Sequence, residues 1–303
     1  MKLLNKILFL GASSQITKSF KSSEYYKIVI SKNKLKILSF KDFHNYEKII
    51  KSFKPNIIIN TFVFHPVDLC EKNKSKSYQG NVMTVKKIIA GIKNINLDNP
   101  LLIHFSSDYV YNSPNKNYLF KEKDLTNPVN VLGKHKVISE DFIMNNYYNY
   151  IIFRISWLFS KFDNNFVKTI FNILKKNEII RVIDNQYGNP TSTTLISKIL
   201  FKIFSNSDYK LKREVYNLCN IPSTSWFDFA KQIKKNTKTN IINKSILPIS
   251  SDNYYKFSKI KTKRPYNSSM NIAKVTSHFK ISKKDLSWKK DLKLILKGFD
   301  NID

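Results

Sequence analysis

The sequence contains little cysteine, glycine and arginine, and it has no long apolar run. Its two cysteines, Cys70 and Cys219, lie far apart and match no metal-binding or redox spacing, so we expect no metal site and a reducing cytoplasm. No segment reaches the roughly 18 apolar residues that a transmembrane helix requires. The basic, apolar start of the chain is too short for a signal peptide, so we interpret it as a first buried strand.

Glycine and arginine are scarce, whereas lysine is abundant. Six of the 303 residues are glycine, roughly a third of ordinary usage. Only four of the 52 basic residues are arginine, and the formal net charge is +30. Lysine in place of arginine, and serine or asparagine in place of glycine, indicate a coding bias. The alternative interpretation is binding to nucleic acid or an anionic membrane. Because the lysines are spread evenly and no nucleic-acid motif occurs, we expect neither partner.

Short apolar runs alternate with amphipathic stretches over the first 220 residues. Predicted strands cover residues 6–10, 27–30, 56–60, 101–105, 150–155, 180–183 and 215–218. Predicted helices cover residues 14–22, 42–53, 71–95, 129–146, 165–176, 193–204 and 225–235. Continuous apolar strands separated by helices predict an α/β fold with a doubly wound parallel sheet. After residue 220 the rhythm weakens, which indicates a smaller C-terminal domain over the open, carboxyl-end side of the sheet.

The segment after the first predicted strand has the context of a glycine-rich dinucleotide turn. Gly11 is the first glycine of that pattern, whereas Ser14 and Thr17 stand where the second and third are expected. The N-terminus of the following helix still offers N–H groups to a phosphate. Gly11, Ser14, Gln15 and Ile16 are therefore candidate cofactor-binding residues.

The region about 20 residues further on contains lysines instead of the acid that NAD-binding folds place there. Residues 31–34 read Ser-Lys-Asn-Lys. If a cofactor binds, these lysines favour the 2′-phosphate of NADP over the free ribose hydroxyls of NAD. An equally open interpretation is that they are ordinary loop lysines.

A hydroxyl at a strand end and a lysine in a later helix form the frame of a short-chain dehydrogenase/reductase site. Ser107 follows the apolar run 101–105, and Lys136 lies about one turn into a predicted helix. In that frame a tyrosine four residues before the lysine donates a proton, because the lysine lowers the pKa of its phenol. Here Leu132 occupies the tyrosine position. The frame is present and its proton donor is missing.

Motifs along almost the whole chain resemble the dTDP-4-dehydrorhamnose reductase family, which are extended short-chain dehydrogenases/reductases. The segments that carry the resemblance are Val67-Asp68, Glu71, Asn81, Ser106-Ser107-Asp108-Tyr109-Val110, Glu122-Lys123-Asp124, Asn127-Pro128-Val129, Phe153-Arg154-Ile155-Ser156-Trp157, Asn164-Asn165-Phe166, Asp184-Asn185-Gln186-Tyr187-Gly188, Thr224-Ser225-Trp226, Arg264-Pro265 and Ser287-Trp288. All three tryptophans and three of the four arginines fall at positions that the family uses. Such placement is hard to ascribe to chance in a chain that otherwise uses lysine.

The resemblance implies a Rossmann-like sheet domain and a smaller substrate-binding domain that interleave in sequence. Residues 1–155, together with 192–220, would form the dinucleotide-binding domain, and residues 156–191 and 221–303 would form the substrate-binding region. The implied activity is NAD(P)H-dependent reduction of the 4-keto group of a dTDP-6-deoxyhexulose in dTDP-L-rhamnose synthesis. The cofactor would be NADP or NAD, and a homodimer is compatible with the family.

The resemblance also implies roles for individual residues. Ser107 would hydrogen-bond the sugar carbonyl, and Lys136 would bind the nicotinamide ribose hydroxyls. Asn60 and Phe62 fall in the segment that faces the dinucleotide. The residues that would hold the dTDP-sugar are Trp157, Asn164, Gln186 and Arg264. Two other interpretations stay open, in which Trp157 and Trp226 are core aromatics and Gln186 belongs to an ordinary turn.

Departures from the family pattern cluster on the cofactor and catalytic side. Besides Leu132, the segment Thr61-Phe62-Val63 replaces small alanines, and Ser39 replaces an acid near the adenine. A phenyl ring at Phe62 must turn away or occupy cofactor space. His135, three residues after Leu132, is the nearest substitute proton donor by sequence, unless it is a plain surface histidine.

Two hypotheses follow from these departures. In the first, the chain is a reductase of the dTDP-rhamnose pathway, with activity that is slow or altered in substrate. In the second, it is a catalytically inactive homologue that acts as a nucleotide-sugar-binding or regulatory subunit. The sequence leaves open whether activity survives without the tyrosine.

Overall fold

The computed structural model describes residues 5–176, 178–205, 213–237, 244–257 and 262–300. The strands are β1 (Lys6–Leu10), β2 (Lys34–Leu38), β3 (Ile57–Asn60), β4 (Leu101–Ser107), β5 (Tyr150–Ile155), β6 (Leu158–Phe159), β7 (Ile179–Ile183), β8 (Tyr187–Gly188), β9 (Thr191–Ser192), β10 (Arg213–Leu218), β11 (Thr224–Ser225) and β12 (Ser245–Ile249). The helices are α1 (Gln15–Lys21), α2 (Glu24–Lys32), α3 (Tyr46–Phe53), α4 (Val67–Lys72), α5 (Lys74–Tyr78), α6 (Thr84–Asn94), α7 (Val131–Asn146), α8 (Phe166–Lys176), α9 (Thr193–Ser205), α10 (Trp226–Asn236), α11 (Ser251–Phe257), α12 (Ala273–His278) and α13 (Trp288–Asp300). Short 3-10 turns lie at Lys41–Asn45, Asp108–Val110 and Lys283–Asp285, and a π-helical turn at Gln79–Met83 joins α5 to α6.

Six of the described strands form one parallel sheet in the order β10-β5-β4-β3-β1-β2. Because β1 passes to β2 on one side and β3 lies on its other side, the direction of strand order reverses beside β1. Folds of this kind bind ligands in the crevice at that reversal, outside the carboxyl ends of the strands. The predicted doubly wound parallel sheet is confirmed.

Successive residues of β1 enter the cores on the two faces of the sheet. Ile7 and Phe9 belong to a cluster shared with α1, α2, α9 and α12. Leu8 and Leu10 belong to a second cluster, shared with α3, α6 and α7. This alternation follows from the two-residue side-chain period of a strand. Burial on both faces explains why the strand reads as a continuous apolar run.

A third and smaller core, separate from the two on the faces of the sheet, lies beyond the sheet. It contains residues of α8, α10 and α13, among them Phe171, Phe229 and Trp288. Strands β7 and β12 pair in parallel beside it. Short pairings of β6 with β9 and of β8 with β11 connect this part of the chain to the segments that leave the main sheet.

The strand predicted at residues 27–30 is wrong, because these residues belong to α2. Only one residue of the apolar run, Val29, is fully buried, whereas Ile28 and Ile30 are exposed. Tyr25 stacks on Phe201 of α9 with ring centroids 4.8 Å apart, so docking onto α9 overrides the local preference of β-branched residues for strands. The edge strand lies at 34–38 instead, where lysine alternates with apolar residues.

The helix predicted at residues 71–95 is divided into four pieces. Asn73 ends α4 and caps α5 by accepting a hydrogen bond from Lys76 N at 2.9 Å. At Gly80, in the π-helical turn, a Cβ atom would lie 2.6 Å from the Cβ of Phe64. The turn therefore lets the segment after β3 lie close against this helical region.

Candidate functional site

The candidate catalytic residues meet at the carboxyl end of β4. Ser107 ends that strand, and the buried Lys136 of α7 donates from Nζ to Phe105 O at 2.9 Å. Burial lowers the pKa of Lys136 to about 8, although the charge of Glu140 opposes that shift. The amine therefore lies two residues before Ser107 along β4.

Helix α7 is placed by a cap and by a close backbone approach. Asn130 accepts a hydrogen bond from Gly133 N at 3.0 Å, and Val131 N donates to Glu71 Oε2 at 3.1 Å. A Cβ atom on Gly133 would lie 2.2 Å from Tyr109 O. Only glycine lets the helix approach the segment after β4 this closely, and that contact sets the positions of Leu132 and Lys136.

Leu132 lies in an apolar environment that offers no obvious replacement for a phenol. Together with Cys70 and Val131 it forms a small buried cluster, against which Phe64, Val67 and Tyr109 pack. We call these six residues the Leu132 cluster. The thiol of Cys70 donates to Phe64 O at 3.1 Å, and burial raises its pKa. Leu132 therefore contributes packing and no proton donor at this position.

His135 is held against α5 and does not serve the strand end. Its Nδ1 shares a hydrogen bond with Ser77 Oγ at 2.9 Å, and its ring lies edge-on to Tyr78 with centroids 5.5 Å apart. These contacts direct the imidazole to the neighbouring helix, whereas Lys136, one residue further along, reaches β4. The structure gives no support to His135 as the substitute proton donor.

Asp108, which the sequence analysis did not single out, organises the hydroxyl groups around Ser107. Ser107 Oγ donates to its Oδ1 at 3.2 Å, while Ser156 Oγ and Ser268 Oγ donate to its Oδ2 at 2.9 and 2.6 Å. Its side chain is 2% exposed, and this burial raises its pKa to about 6 although the three hydroxyl donors oppose the shift. The only signal in the sequence was its place inside a matching motif.

The turn between β1 and α1 depends on Gly11. Its φ of +119° is a conformation that favours glycine, and a Cβ atom there would lie 2.2 Å from Thr61 Oγ1. Ser14 caps α1 by accepting from Thr17 N at 3.1 Å and donates to Thr61 Oγ1 at 2.8 Å. Thr61 in turn donates to Leu10 O at 2.8 Å. The hydroxyl of Thr17 lies 3.0 Å from Ser14 Oγ and 3.3 Å from Thr61 Oγ1, so three hydroxyl groups tie the turn to the end of β3.

The turn between β1 and α1 also holds backbone N–H groups at the start of the helix. The first N–H groups of a helix have no intrahelical acceptor, and at α1 these include the N–H groups of Gln15 and Ile16. Together with the positive φ of Gly11, they provide an anion-binding helix end in the crevice beside β1. The side chain of Gln15 connects the turn to the segment after β6, because its Oε1 accepts hydrogen bonds from Ser160 Oγ at 2.7 Å and Asn165 Nδ2 at 3.2 Å.

The ring of Phe62 is turned toward the end of β2. It packs edge-on against Phe40 and Phe43, with centroid distances of 5.1 and 5.3 Å, and it belongs to the second sheet core. Asn60 holds the start of this segment, because its Oδ1 accepts from Phe62 N at 3.1 Å and its Nδ2 donates to His104 Nδ1 at 3.0 Å. Phe62 therefore has its own packing site beside the turn.

The lysines at 31–34 lie at the wrong end of the sheet to contact a dinucleotide. Lys32 ends α2, and Lys34 pairs with Lys6 at the amino end of β1, whereas Leu38 pairs with Leu10 beside the turn. The argument for NADP from these lysines is wrong, because the helix over 24–32 displaced the strand that would have carried them. The carboxyl end of β2 is instead followed by Ser39, Phe40 and Lys41, with Ser39 Oγ hydrogen-bonded to Asp42.

The predicted sugar-binding residues border the same region from the smaller core. Trp157 and Trp226 stack face to face with centroids 3.5 Å apart, and both are half-buried. Trp157 has a φ of +41°, and a Cβ atom on Gly188 would lie 2.6 Å from its indole. Because Gly188 has no Cβ atom, the indole of Trp157 can pack directly against β8. Both earlier interpretations of Trp157, as core aromatic or as ligand contact, are compatible with its partial exposure.

Arg264 joins the C-terminal part of the chain to α4. Its guanidinium forms a bidentate pair with Asp68, at 2.9 and 2.8 Å, and donates to Thr262 O at 2.6 Å. Its charge also lies near enough to Tyr109 to oppose the rise in the pKa of that phenol, and Tyr109 packs against the buried residues around Leu132. The structure therefore brings Arg264 to the Ser107 end of β4, already paired with a carboxylate.

The remaining predicted residues differ in how they are engaged. Gln186 is buried and donates from Nε2 to the hydroxyl of Tyr255 at 3.1 Å. Asn164 is exposed, whereas its neighbour Asn165 donates to Ser160 O at 2.9 Å and to Gln15. Sequence reasoning chose the exposed member of this asparagine pair and missed the one that connects the smaller core to the cofactor turn.

Two classes of feature are absent from the described part of the chain. No helix there is long and apolar enough to cross a membrane. No group of three or more histidine, cysteine, aspartate or glutamate side chains among the described residues is arranged to hold a metal ion.

Comparison with solved structures identifies the fold. The chain superimposes with a TM-score of 0.84 on a dTDP-4-dehydrorhamnose reductase from Bacillus anthracis in complex with NADP, at 22% identity, covering 98% of this chain and 100% of that one. A dTDP-4-dehydrorhamnose reductase orthologue from Clostridium acetobutylicum gives a TM-score of 0.82 at 24% identity, covering 97% and 99%. The Rossmann-like architecture is confirmed.

Comparison of sequences identifies the family. A dTDP-4-dehydrorhamnose reductase from Aggregatibacter actinomycetemcomitans is 30% identical over 301 residues, which are 96% of this chain and 98% of the relative. The relative from Escherichia coli K12 is 28% identical over 84% of each chain. The profile of the family described as RmlD substrate binding domain matches residues 5–301. The chain belongs to the RmlD substrate binding domain family.

Proposed function

We propose that this protein catalyses the NAD(P)H-dependent reduction of the 4-keto group of a dTDP-6-deoxyhexulose, in the synthesis of dTDP-L-rhamnose. The observation that carries the proposal is that Lys136 Nζ donates to Phe105 O, two residues before Ser107 at the carboxyl end of β4, in a chain of this family. A relative 30% identical over nearly the full length has the reductase name.

The residues at the strand end would bind and polarise the ketone. Ser107 would donate its hydroxyl to the carbonyl oxygen, which stabilises the negative charge that develops there. Lys136, mostly protonated at neutral pH because its pKa is about 8, would bind the ribose hydroxyls of the cofactor and add positive charge beneath the site. The bound nicotinamide cofactor supplies the hydride.

The cofactor would lie along the turn between β1 and α1. Gly11, Ser14, Gln15 and Ile16 would hold its pyrophosphate, with Asn60 and Phe62 shaping the adjoining wall. The name of the Bacillus anthracis reductase records NADP, and that of a dTDP-glucose 4,6-dehydratase with a TM-score of 0.76 records NAD. NADP is the cofactor we would test first.

The finer parts of the proposal concern the substrate and the assembly. Trp157, Asn164, Gln186 and Arg264 would hold the dTDP-sugar over the strand end. Residues 1–155 and 192–220 would form the dinucleotide-binding domain, and 156–191 and 221–303 the substrate-binding region. We further propose a cytoplasmic location and a homodimer. Sedimentation of the purified protein would test the homodimer.

The alternative is an inactive homologue that binds a nucleotide sugar or regulates another protein. It rested on Leu132 and on Phe62 together. Phe62 packs against Phe40 and Phe43 beside the carboxyl end of β2, and the NADPH-binding measurement below tests its effect on the cofactor. The other objection to activity is Leu132, and this residue affects proton transfer more directly than binding.

The test is NADPH oxidation by the purified protein with dTDP-4-keto-6-deoxyhexose. We expect turnover in the wild-type protein and loss of most of it in Lys136→Ala. Lys263→Ala, which changes another lysine, is the matched control and should keep wild-type turnover. Absence of turnover in the wild type, together with absence of NADPH binding by calorimetry, would contradict the reductase function and favour the inactive homologue.

A further inference from the structure

A ketone reductase must deliver a proton to the oxygen that the hydride makes basic. Leu132 has no proton to give, and the Leu132 cluster around it is apolar. His135 is engaged by Ser77 and Tyr78. The remaining candidate donors are therefore the groups in direct contact with Ser107, the residue expected to touch the ketone.

Asp108 makes that contact. Its Oδ1 lies 3.2 Å from Ser107 Oγ. Ser107 Oγ also accepts a hydrogen bond from Tyr109 N at 3.1 Å. A hydroxyl has one donor and two acceptor positions. If Asp108 carries a proton on Oδ1, the backbone N–H and the carboxyl fill both acceptor positions of Ser107, and its single O–H is left to point at the substrate.

The other oxygen of Asp108 is fixed by two elements of the chain. Ser156, directly after β5, and Ser268, in the segment that follows Arg264, both donate to Oδ2. These two donors determine which oxygen faces Ser107. The carboxyl group is thereby oriented, buried, and placed one hydroxyl away from the expected position of the ketone.

Burial raises the pKa of Asp108 to about 6, so the carboxyl holds its proton at mildly acidic pH. The charge of Asp108 contributes to the raised pKa of two titratable groups, Tyr109, on its own segment, and Cys219, directly after β10. Burial raises the pKa of both, so they remain neutral. The groups that face Asp108 from the other packed segments are the hydroxyls of Ser107, Ser156 and Ser268. No cation is among these neighbours to hold the carboxyl ionised, in agreement with its raised pKa of about 6.

We propose that Ser107 and Asp108 form a proton relay that takes the place of the missing tyrosine. The inference rests on the reductase function proposed above. When the hydride forms the new C–H bond at C4, the π electrons of the carbonyl move to its oxygen, and that oxygen takes the proton of Ser107 Oγ. Ser107 Oγ takes the proton of Asp108 Oδ1. Asp108 is left as a carboxylate and regains its proton from water after the product leaves.

The relay predicts a pH dependence of defined sign. Asp108 must be protonated to act, so kcat should be highest at low pH and should fall as the pH rises through about 6, the pKa of that carboxyl. Asp108→Asn keeps the size and the acceptor oxygen but has no acidic proton. We expect its kcat to fall by about 10²-fold and its pH dependence to vanish, with KM and NADPH affinity changed less than about twofold.

A donor restored at position 132 separates the relay from a purely structural role. In a Leu132→Tyr background the phenol supplies the proton, so Asp108→Asn should cost less than about fivefold in kcat. A structural role would cost the same in both backgrounds. Equal losses would therefore overturn the relay.

A second variant leaves Asp108 in place, and so it does not depend on how Asp108→Asn folds. Ser268→Ala removes a hydroxyl that stabilises the carboxylate, which raises the pKa of Asp108 further and should move the midpoint of the kcat profile to higher pH. The matched control is Ser269→Ala, whose buried hydroxyl has no hydrogen-bond partner among the described residues and which should leave the midpoint unchanged.

The outcomes distinguish the relay from the function on which it rests. Absence of turnover in the wild type would overturn both. Wild-type turnover with an unchanged kcat in Asp108→Asn, or with an unmoved midpoint in Ser268→Ala, would overturn the relay and leave the reductase function standing.

Discussion

The turn between β1 and α1 and the Leu132 cluster both depart from the pattern of the family, but they do so differently. At the turn, Ser14 and Thr17 replace glycines, and Thr61 opposite them supplies a hydroxyl that bonds to Ser14 and Leu10. At the cluster, an alkyl side chain replaces a phenol and packs against Cys70 and Tyr109. The first region keeps its geometry through new hydrogen bonds, whereas the second keeps its packing and loses a functional group.

The difference shows what neighbouring residues can and cannot compensate. A backbone shape can be preserved when three hydroxyl side chains change together, because each satisfies another. A proton donor cannot be replaced by packing, so its chemistry must come from another group. Asp108 is the group that the structure offers, and the reductase function depends more on it than on the altered glycines.

The largest expected effect comes from Gly11→Ala, which tests whether the turn is as rigid as its contacts indicate. The added Cβ would lie 2.2 Å from Thr61 Oγ1 at a φ of +119°. We expect the free energy of unfolding to fall by about 3 kcal/mol, measured by urea denaturation. Gly298→Ala is the control, since nothing lies within 4 Å of its added Cβ, and it should stabilise α13 by about 0.5–1 kcal/mol. A loss below about 1 kcal/mol in Gly11→Ala would show that the turn is loose.

The next effect concerns the Leu132 cluster. Leu132→Tyr restores the phenol beside Lys136 and should raise kcat about tenfold, which is less than a full general acid contributes because the relay already supplies a proton. Leu132→Phe adds the same ring without the hydroxyl and should not raise kcat. If both variants raise kcat equally, the gain comes from packing, and the proposed contrast between the two regions fails.

A pH titration of stability tests the environment of Lys136. Its pKa is lowered to about 8 in the folded protein from about 10.4 in an unfolded chain. Between these values the unfolded chain binds more protons, so this group makes the protein more stable as the pH rises from 8 to 10. The expected gain is about 1–2 kcal/mol. Lys136→Met, compared with the wild type by urea denaturation, should lack this rise, and a parallel dependence in both proteins would contradict the burial of the amine.

The smallest effect tests the hydroxyl network of the turn. Thr61→Val keeps the shape of the side chain but removes the donor to Leu10 O and the partner of Ser14. We expect a loss of about 1 kcal/mol in unfolding free energy and a small loss of NADPH affinity. Thr276→Val is the matched control, because the buried hydroxyl of Thr276 has no partner among the described residues. Equal effects would show that the network contributes nothing.

The sheet could be predicted because its signal is local. Strands buried on both faces read as continuous apolar runs, and β5 was predicted with the bounds that the structure has. The failure at residues 27–30 has a physical cause, since the contact that makes this segment helical, Tyr25 on Phe201, comes from a part of the chain far away in sequence. Local preference had no access to that contact.

The site was predictable only in part, for the same reason. Ser107, Lys136 and Gly11 lie in motifs with recognisable spacing, and the structure shows Ser107 at the end of β4, Lys136 bonded to that strand and Gly11 in the turn after β1. The environment of Asp108 is built by serines from two distant segments, and the pairing of Arg264 with Asp68 spans 196 positions. No spacing rule predicts which hydroxyls will gather around a buried carboxyl, although that gathering sets its pKa.

The serine that completes the environment of Asp108 lies late in the chain. A ribosome that has translated as far as residue 220 has produced every strand of the main sheet, but Ser268 and Arg264 do not yet exist. Domains generally fold as units during synthesis, N-terminal parts first. At that stage Asp68 still lacks Arg264. Asp108 has Ser107 and Ser156 available but still lacks Ser268. The catalytic centre is therefore assembled last, and a prematurely terminated chain would carry the sheet without a finished active site.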